Sequence, residues 1–222
     1  MYKVFIGGPV RNRGWVFQEH LDSLFKQQGI IPKYCYVLNN STDDTEMILK
    51  KNGINYVVHD IEHPRKQWTR GHYSFEDLAT VRNVFLEEFL KSDCEYAFSI
   101  DSDIILDSPT TIIDLIMSGK AIISALIKNS DVIYAHNILI KGRQPKNLRS
   151  GILEVDTTGA VYIIRRDVIE AGVRYGLNET YGEDYVFCEE AQKAGYKLYC
   201  DTSIQATHVF APGKYLLPEV QK

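Results

Sequence analysis

The sequence lacks three features that mark other classes of protein: an excess of basic residues, long apolar runs and closely spaced cysteines. Its net charge of -4 at pH 7 argues against a general nucleic-acid-binding surface. No apolar run approaches the ~18 residues of a membrane span, and the first residues, MYKVFIGG, lack the long apolar region of a signal peptide. The 4 cysteines have no CxxC spacing, so they predict packed, reduced thiols rather than a zinc site or a disulfide framework. These absences favour a cytoplasmic protein without a membrane span.

What the sequence does contain is the composition of a globular protein and an alternation of strand and helix patterns. With 222 residues, 45% hydrophobic and 24% charged, it is expected to form one domain over residues 1–222, because no repeat or linker divides it. The first half predicts strands at Tyr2–Ile6, Tyr34–Leu38 and Ile54–Val58. Between them we expect a helix at Trp15–Gln28 and a second one capped by Ser41 or Thr42. This β-α-β-α-β order predicts an α/β fold with a parallel sheet covered by helices.

The second half continues the alternation but is harder to interpret. Helices are predicted at Phe75–Lys91, at Thr111–Ser118 and up to Ala194, the last one introduced by Tyr181–Asp184. Strands are predicted at Ala121–Ile127, Val155–Ile164 and Lys197–Asp201. The polar segment Asp60–Tyr73 is interpreted as a mobile loop, with a substrate lid as the alternative. The segment Lys128–Arg149 is interpreted as an exposed basic loop, because it contains Lys141, Arg143, Lys146 and Arg149.

The stretch Glu95–Asp107 is central to any functional interpretation. The apolar run Tyr96–Ile100 has the composition of a buried strand, and the carboxylates Asp101 and Asp103 follow it directly. In an open α/β sheet, ligands bind beyond the carboxyl ends of the strands. Two carboxylates there are hard oxygen ligands suited to Mg2+ or Mn2+ carrying a phosphate-bearing substrate. The alternative is a pair of solvated loop acids.

Four segments together resemble a GT-A glycosyltransferase of the large family 2 type. They are PVRNR at Pro9–Arg13, NNSTDDT at Asn39–Thr45, TVRN followed by FSIDSD, and TTGAVYIIRR with the later YGEDY and His208. The resemblance covers roughly Lys3–His208. It implies a Rossmann-like three-layer α/β/α sandwich with a mainly parallel central sheet. It also implies a nucleotide-sugar-binding half at 1–103, an acceptor-binding half at 104–208 and a tail at 209–222.

The activity implied by the resemblance is transfer of a sugar from a nucleotide-sugar, expected to be a UDP-sugar, to an acceptor hydroxyl with inversion. The implied cofactor is Mn2+ or Mg2+, and its implied ligands are Asp101, Asp103 and His208. The implied nucleotide-sugar contacts are Pro9, Val10, Arg11, Asn39, Arg82, Asp101 and Ser102. Asn39 stands where an acid commonly contacts uracil, and Arg82 is placed near the diphosphate. A structural histidine and an ordinary salt bridge are the alternatives for His208 and Arg82.

On the acceptor side, the resemblance places Asp184 as the general base that deprotonates the acceptor hydroxyl. Glu183 is implied to shape the acceptor pocket, and Thr158 and Gly159 are implied to let the acceptor approach the backbone. A helix-capping role is the alternative for Asp184. No Q/R-x-x-R-W motif follows the acidic pair, which favours a non-processive enzyme.

Three rival functions were weighed against this interpretation. A haloacid-dehalogenase-type phosphatase places its DxD motif after the first strand, whereas here it follows a central one. A nucleotidyltransferase on a related fold would need a Gly-rich basic phosphate loop, for which GGPVRNR is too short. A non-catalytic nucleotide- or glycan-binding protein would be expected to lack Asp103, Asp184 or His208, and all three are present.

Overall fold

The computed structural model describes residues 1–62, 75–130, 135–177, 182–218 and 220. Most of the segment Asp60–Tyr73, interpreted above as a loop or lid, lies outside these residues. So does Tyr181, the first residue of the predicted YGED helix start.

The N-terminal half is a parallel sheet with helices between its strands. Its strands are β1 (Tyr2–Val10), β2 (Ile30–Leu38), β3 (Asn55–Val58) and β4 (Tyr96–Ile100), and its helices are α1 (Phe17–Phe25), α2 (Thr45–Lys51) and α3 (Phe75–Lys91). The strands lie in the order β4-β1-β2-β3, and every neighbouring pair is parallel. Their carboxyl ends therefore share one edge, where Val10, Leu38 and Ile100 lie.

The C-terminal half extends this sheet with strands of mixed direction. Its strands are β5 (Ile104–Leu106), β6 (Ile122–Leu126), β7 (Ile138–Leu139), β8 (Ile152–Val155), β9 (Thr157–Thr158), β10 (Val161–Arg165), β11 (Leu198–Ala211) and β12 (Lys214–Leu216). Its helices are α4 (Thr111–Met117), α5 (Arg166–Glu170) and α6 (Glu183–Lys193). The full order is β12-β11-β6-β10-β4-β1-β2-β3, with β5 and β8 also paired to β11 and with β7 and β9 paired separately.

Strand β10 determines where the two halves meet. It lies between β4 and β6 and is antiparallel to both, with Val161 opposite Ile100. The beginning of β10 therefore lies beside the end of β4. The backbone of residues 158–160 is placed next to Asp101, and the Asp101 N–H donates to the Ala160 carbonyl at 2.7 Å.

The sheet has helices on both faces, which gives the three-layer sandwich expected from the resemblance. Side chains alternate along each strand: Phe5 packs on one face, and Val4 and Ile6 pack on the other. Helices α3, α5 and α6 cover the first face, and α1, α2 and α4 cover the second. All four cysteines are buried and free. None of the helices in the described part of the chain is long and apolar enough to cross a membrane.

The structure corrects several details of the sequence interpretation. The strand predicted at Val155–Ile164 is divided among β8, β9 and β10, and the break before β10 contains Ala160, which adopts a left-handed conformation with φ of 67°. The last strand runs well past Asp201, so His208 lies within it rather than after it. Helix α2 begins at Thr45, and neither Ser41 nor Thr42 caps it. The Ser41 hydroxyl accepts a hydrogen bond from the Asn12 backbone instead.

Candidate active site

A cavity of about 540 Å³ lies where β1 and β4 end and the C-terminal half begins. Eleven of the predicted site residues line it: Pro9, Arg11, Arg82, Asp101, Ser102, Asp103, Thr158, Gly159, Glu183, Asp184 and His208. The opposite wall includes Asn129, Asn137, Leu139 and Gln144, which belong to the segment that the sequence indicated as an exposed loop. The structure thus brings residues from distant parts of the chain into one concave site.

Arg82 of α3 joins the acidic residues from both sides of the cavity. Its Nη2 donates to Asp101 Oδ1 at 2.7 Å, its Nε donates to Glu183 Oε1 at 2.9 Å, and its Nε lies 4.0 Å from Asp184 Oδ1. The side chain is only 3% exposed, and its buried Nη1 has no hydrogen-bond partner among the described residues. Burial opposes the charge of Arg82, but the neighbouring carboxylates outweigh that effect and raise its pKa. Arg82 therefore balances buried negative charge.

Asp103 faces a different set of neighbours. Its Oδ2 lies 3.1 Å from Arg13 Nη2, and its Oδ1 lies 3.9 Å from His208 Nε2. Burial raises the pKa of Asp103, and its interactions with Arg13 and His208 oppose that rise. His208 reaches this position because β11 pairs with β5, where His208 lies opposite Ile104. The proximity of Asp103 and His208 is therefore a product of the sheet register.

A second contact fixes the orientation of the His208 ring. Nδ1 lies 3.1 Å from the Lys128 carbonyl oxygen, which can only accept, so Nδ1 carries a proton and Nε2 is the nitrogen that faces Asp103. Carboxylate oxygens with an imidazole nitrogen form a donor set suited to Mn2+. Even so, no group of three His, Cys, Asp or Glu side chains within the described ranges converges closely enough to hold a metal ion.

Asp184 lies in the first turn of α6, across the cavity from Asp103. Its side chain is 28% exposed, and its Oδ1 accepts a hydrogen bond from the Tyr162 hydroxyl at 3.4 Å. Burial raises the pKa of Asp184 to about 8; Arg82 opposes this rise, and Glu183 and Asp101 add to it. Gly182 occupies the position before the helix, and α6 has no side-chain capping hydrogen bond. The geometry therefore gives no support to the capping alternative for Asp184.

Position 159 requires a glycine because its backbone lies close to the Asp184 side chain. A Cβ atom at this position would lie 2.2 Å from Asp184 Oδ2, far inside van der Waals contact. The Gly159 carbonyl accepts a hydrogen bond from Asn137 Nδ2 at 3.0 Å, and the same amide group donates to the Ala125 carbonyl. Asn137 was not recognised in the sequence, because it lies in a segment without a strong periodic pattern.

Three of the predicted site residues have side chains that are buried inside the protein. The Thr158 hydroxyl is buried and donates to Ser124 Oγ at 2.6 Å. Val10 packs in the core, and Asn39 is fully buried with its Nδ2 donating to the His59 carbonyl at 2.6 Å. Neither Val10 nor Asn39 lines the cavity. The nucleotide contacts implied for these two residues stay predictions.

The segment Asn39–Thr45 holds the loop Arg11–Gly14 in place. Ser41 Oγ accepts from the Asn12 N–H at 3.1 Å, Thr45 Oγ1 from the Arg13 N–H at 2.8 Å and Asp43 Oδ2 from the Gly14 N–H at 2.8 Å. This arrangement positions Arg13, which the sequence interpretation did not include among the site residues. The sequence feature that indicates Arg13 is its place as the second arginine of the PVRNR segment, whose loop is held by the polar NNSTDDT run.

Comparison with solved structures identifies the fold. A fragment of S. aureus TarS, solved with UDP-GlcNAc, superposes with a TM-score of 0.61 at 18% identity, covering 100% of this chain and 59% of that one. Mannosyltransferase PcManGT from Pyrobaculum calidifontis, solved with GDP-Man and Mn2+, gives 0.57 at 16% identity over 90% of this chain and 54% of that one. The fold is of the GT-A type. This chain thus spans less than two thirds of either structure.

The same similarity extends beyond sugar transfer. A UDP-glucose pyrophosphorylase complexed with UDP-glucose superposes with a TM-score of 0.56 at 12% identity, covering 95% of this chain and 94% of that one. No protein-family model and no curated protein sequence matches the chain. These three structures each contain a nucleotide-sugar, and at these identities they establish the fold of this chain rather than its reaction.

Proposed function

We propose that the protein is a metal-dependent glycosyltransferase that moves a sugar from a nucleotide-sugar to an acceptor hydroxyl with inversion. The proposed donor is a UDP-sugar. The observation that supports this most strongly is the meeting of Asp101 and Asp103 with Asp184 in one cavity of a GT-A fold. On this proposal, residues 1–103 bind the donor and residues 104–208 bind the acceptor. The implied tail at 209–222 begins with the end of β11 and includes β12, so its first part belongs to the sheet. The cytoplasm is the proposed location, in keeping with four free cysteines.

The donor side is assigned to the residues around the DSD turn. Asp101, Asp103 and His208 are proposed to hold Mn2+ or Mg2+, and the fit rests on Asp103 Oδ1 and His208 Nε2, which face each other at 3.9 Å. When bound, the cation would supply Lewis-acid stabilisation to the leaving nucleoside diphosphate. Ser102, Pro9, Val10, Arg11 and Asn39 are proposed to contact the nucleoside.

The acceptor side is assigned to the residues around the start of α6. Asp184 is proposed to accept the proton of the acceptor hydroxyl as that oxygen attacks the anomeric carbon. Glu183, held by Arg82, keeps the first turn of α6 in position, and the absence of a side chain at Gly159 leaves room beside Asp184 Oδ2. Backbone atoms at Thr158 and Gly159 are proposed to border the acceptor.

The test is a panel of UDP-, GDP-, dTDP- and CDP-sugars, each measured with and without Mn2+ for binding and for slow donor hydrolysis. One donor should bind with micromolar to millimolar affinity and be hydrolysed only with the metal present. Absence of binding to every nucleotide-sugar would contradict the proposal. So would equal hydrolysis in excess chelator.

A nucleotidyltransferase is the second candidate, because a UDP-glucose pyrophosphorylase shares the fold. Such an enzyme would join a nucleoside triphosphate and a sugar 1-phosphate into a nucleotide-sugar and release pyrophosphate. Pyrophosphate release from UTP and glucose 1-phosphate, measured beside the donor panel, separates the two reactions. The glycosyltransferase proposal expects none.

A further inference from the structure

The two arginines that contact the DSD turn differ in what they can offer a ligand. Arg82 is 3% exposed and already donates to two carboxylates, and its buried Nη1 has no hydrogen-bond partner among the described residues. Arg13 is 27% exposed, and its Nη2 contacts one carboxylate, Asp103 Oδ2. Its Nη1 lies 3.5 Å from the Arg11 carbonyl, and its buried Nε has no hydrogen-bond partner among the described residues. Both arginines line the cavity, and the guanidinium of Arg13 is the more accessible of the two to a ligand there.

The position of Arg13 is fixed before any ligand binds. Its backbone N–H donates to Thr45 Oγ1, and the flanking Asn12 and Gly14 N–H groups donate to Ser41 Oγ and Asp43 Oδ2. Asn12 adopts a left-handed conformation with φ of 49°, and its Oδ1 accepts from the Thr42 N–H at 2.8 Å. The backbone is held by these bonds and the guanidinium by Asp103, so Arg13 loses less conformational entropy on binding than an unrestrained arginine would.

Asp103 places Arg13 beside the proposed cation site. Oδ2 of this carboxylate faces Arg13, whereas Oδ1 faces His208. A cation held on the His208 side and the Arg13 guanidinium can therefore use the same carboxylate without competing for one oxygen. Two positive groups on one carboxylate form a site for a polyanion, and a planar guanidinium pairs well with phosphate oxygens.

We propose that Arg13 binds the diphosphate of the nucleotide-sugar, while Arg82 is a positioning residue that holds Asp101 and Glu183. This assignment rests on the proposed function. It moves the main diphosphate contact from the arginine of the TVRN segment to the second arginine of PVRNR. The chemical class recognised is a nucleoside diphosphate, bound by its two phosphate groups.

The test is binding of UDP, GDP, dTDP and CDP, with the matching nucleosides, to the full chain in Mn2+ at fixed ionic strength. For the best diphosphate, Arg13→Gln should weaken binding about 10- to 100-fold, the range for a hydrogen bond to a charged group. Binding of the matching nucleoside should not change. Arg13→Lys should recover part of the loss, because it keeps the charge without the planar fork. Arg149→Gln, an exposed arginine in the basic loop, is the matched control.

Two measurements separate the possible failures. Thermal unfolding checks that Arg13→Gln is folded, and Mn2+ binding without nucleotide checks the cation site. Unchanged diphosphate affinity in Arg13→Gln would overturn the inference and leave the proposed function standing. A loss of Mn2+ binding that fully accounts for the loss of diphosphate would also overturn it, since Arg13 would then act only through Asp103. A wild-type protein that binds no nucleoside diphosphate would overturn the proposed function, and the inference with it.

Discussion

Two acidic pairs face the cavity, and their surroundings differ. Asp101 and Asp103 follow a strand, and each has its own arginine, Arg82 and Arg13 respectively. Glu183 and Asp184 begin a helix and have Arg82 alone as a neighbouring cation among the described residues. Asp103 also faces His208, whereas Asp184 faces the Tyr162 hydroxyl and the backbone of Gly159.

The difference shows how one residue type can serve two kinds of chemistry. Burial raises the pKa of Asp103 too, but Arg13 and His208 oppose that rise, an environment that suits a metal ligand. A carboxylate that is buried with other acids gains proton affinity, as the raised pKa of Asp184, about 8, indicates. Variants on the donor side should therefore change affinity, and variants on the acceptor side should change turnover. The four predictions below test that division.

The largest expected effect is that of Asp184→Asn, which keeps the shape of the side chain but removes the proton acceptor. Turnover should fall by about 10²–10⁴-fold, the usual contribution of a positioned base, while donor affinity stays nearly unchanged. Steady-state kinetics and donor binding measure the two quantities separately. Glu190→Gln, exposed on the same helix, is the control. Lost donor affinity with normal turnover would reverse the roles of the two acidic pairs.

Gly159→Ala should act on the same pair indirectly. The added Cβ would lie 2.2 Å from Asp184 Oδ2, so the carboxylate or the backbone must move, and a displacement of about 1 Å can cost about 10²-fold in rate. The double variant with Asp184→Asn provides the check. If the methyl group acts through Asp184, it should cost little once the base is already absent. Additive losses would assign Gly159 to another function.

Asp103→Ala tests the donor pair. Loss of a residue that hydrogen-bonds to a metal ligand typically lowers metal affinity by about 10- to 100-fold. Because Asp103 is proposed as a ligand itself, the Mn2+-dependent part of donor affinity should fall by at least about that factor. Calorimetric titration of UDP with and without Mn2+ measures it. Asp107→Ala, a nearby carboxylate that contacts Thr207 instead of the cavity, is the control. Full donor affinity in Asp103→Ala, or in excess chelator, would remove the metal from the proposed function.

The smallest effect concerns the pH dependence set by Asp184. Because a base must be deprotonated to act, kcat/KM should rise with pH through a limb near 8. Tyr162 donates to Asp184 Oδ1 and stabilises its charged form, so Tyr162→Phe should move the limb to higher pH. A loss of about 1 kcal/mol corresponds to a roughly fivefold lower rate at neutral pH. A pH-independent loss of rate would assign Tyr162 to packing alone.

The N-terminal half of the fold could be predicted from the sequence because its signals are local. The helix expected at Phe75–Lys91 is confirmed without change, and β1 and β2 lie where the apolar runs indicated, although both are longer. The strand at Val155–Ile164 was wrong as a single element. A left-handed alanine at position 160 depends on contacts with Asp101 across the sheet, which no local pattern reveals.

The candidate site was predictable where motifs follow strands and helices, and not where it depends on distant pairing. Asp101, Asp103 and Glu183–Asp184 could be recognised by their places at element ends. Arg13 and Asn137 could not, because each acts through hydrogen bonds to segments far away in the chain. The closeness of His208 to Asp103 depends on the register of β11 with β5, which sequence periodicity does not fix.

The place of β10 in the sheet has a consequence for how the chain folds. Strand β4 pairs with β1 on one side, and its other edge has no partner until residues 161–165 have been synthesised. An apolar strand with an open edge is a template for pairing between chains. While only the first 160 residues have been synthesised, the open edge of β4 can therefore pair with another chain and cause aggregation. This risk ends when β10 inserts between β4 and β6. Such non-local pairing slows folding. The Asp101–Ala160 contact therefore cannot form until residue 160 has been synthesised, although Asp101 lies near the middle of the chain.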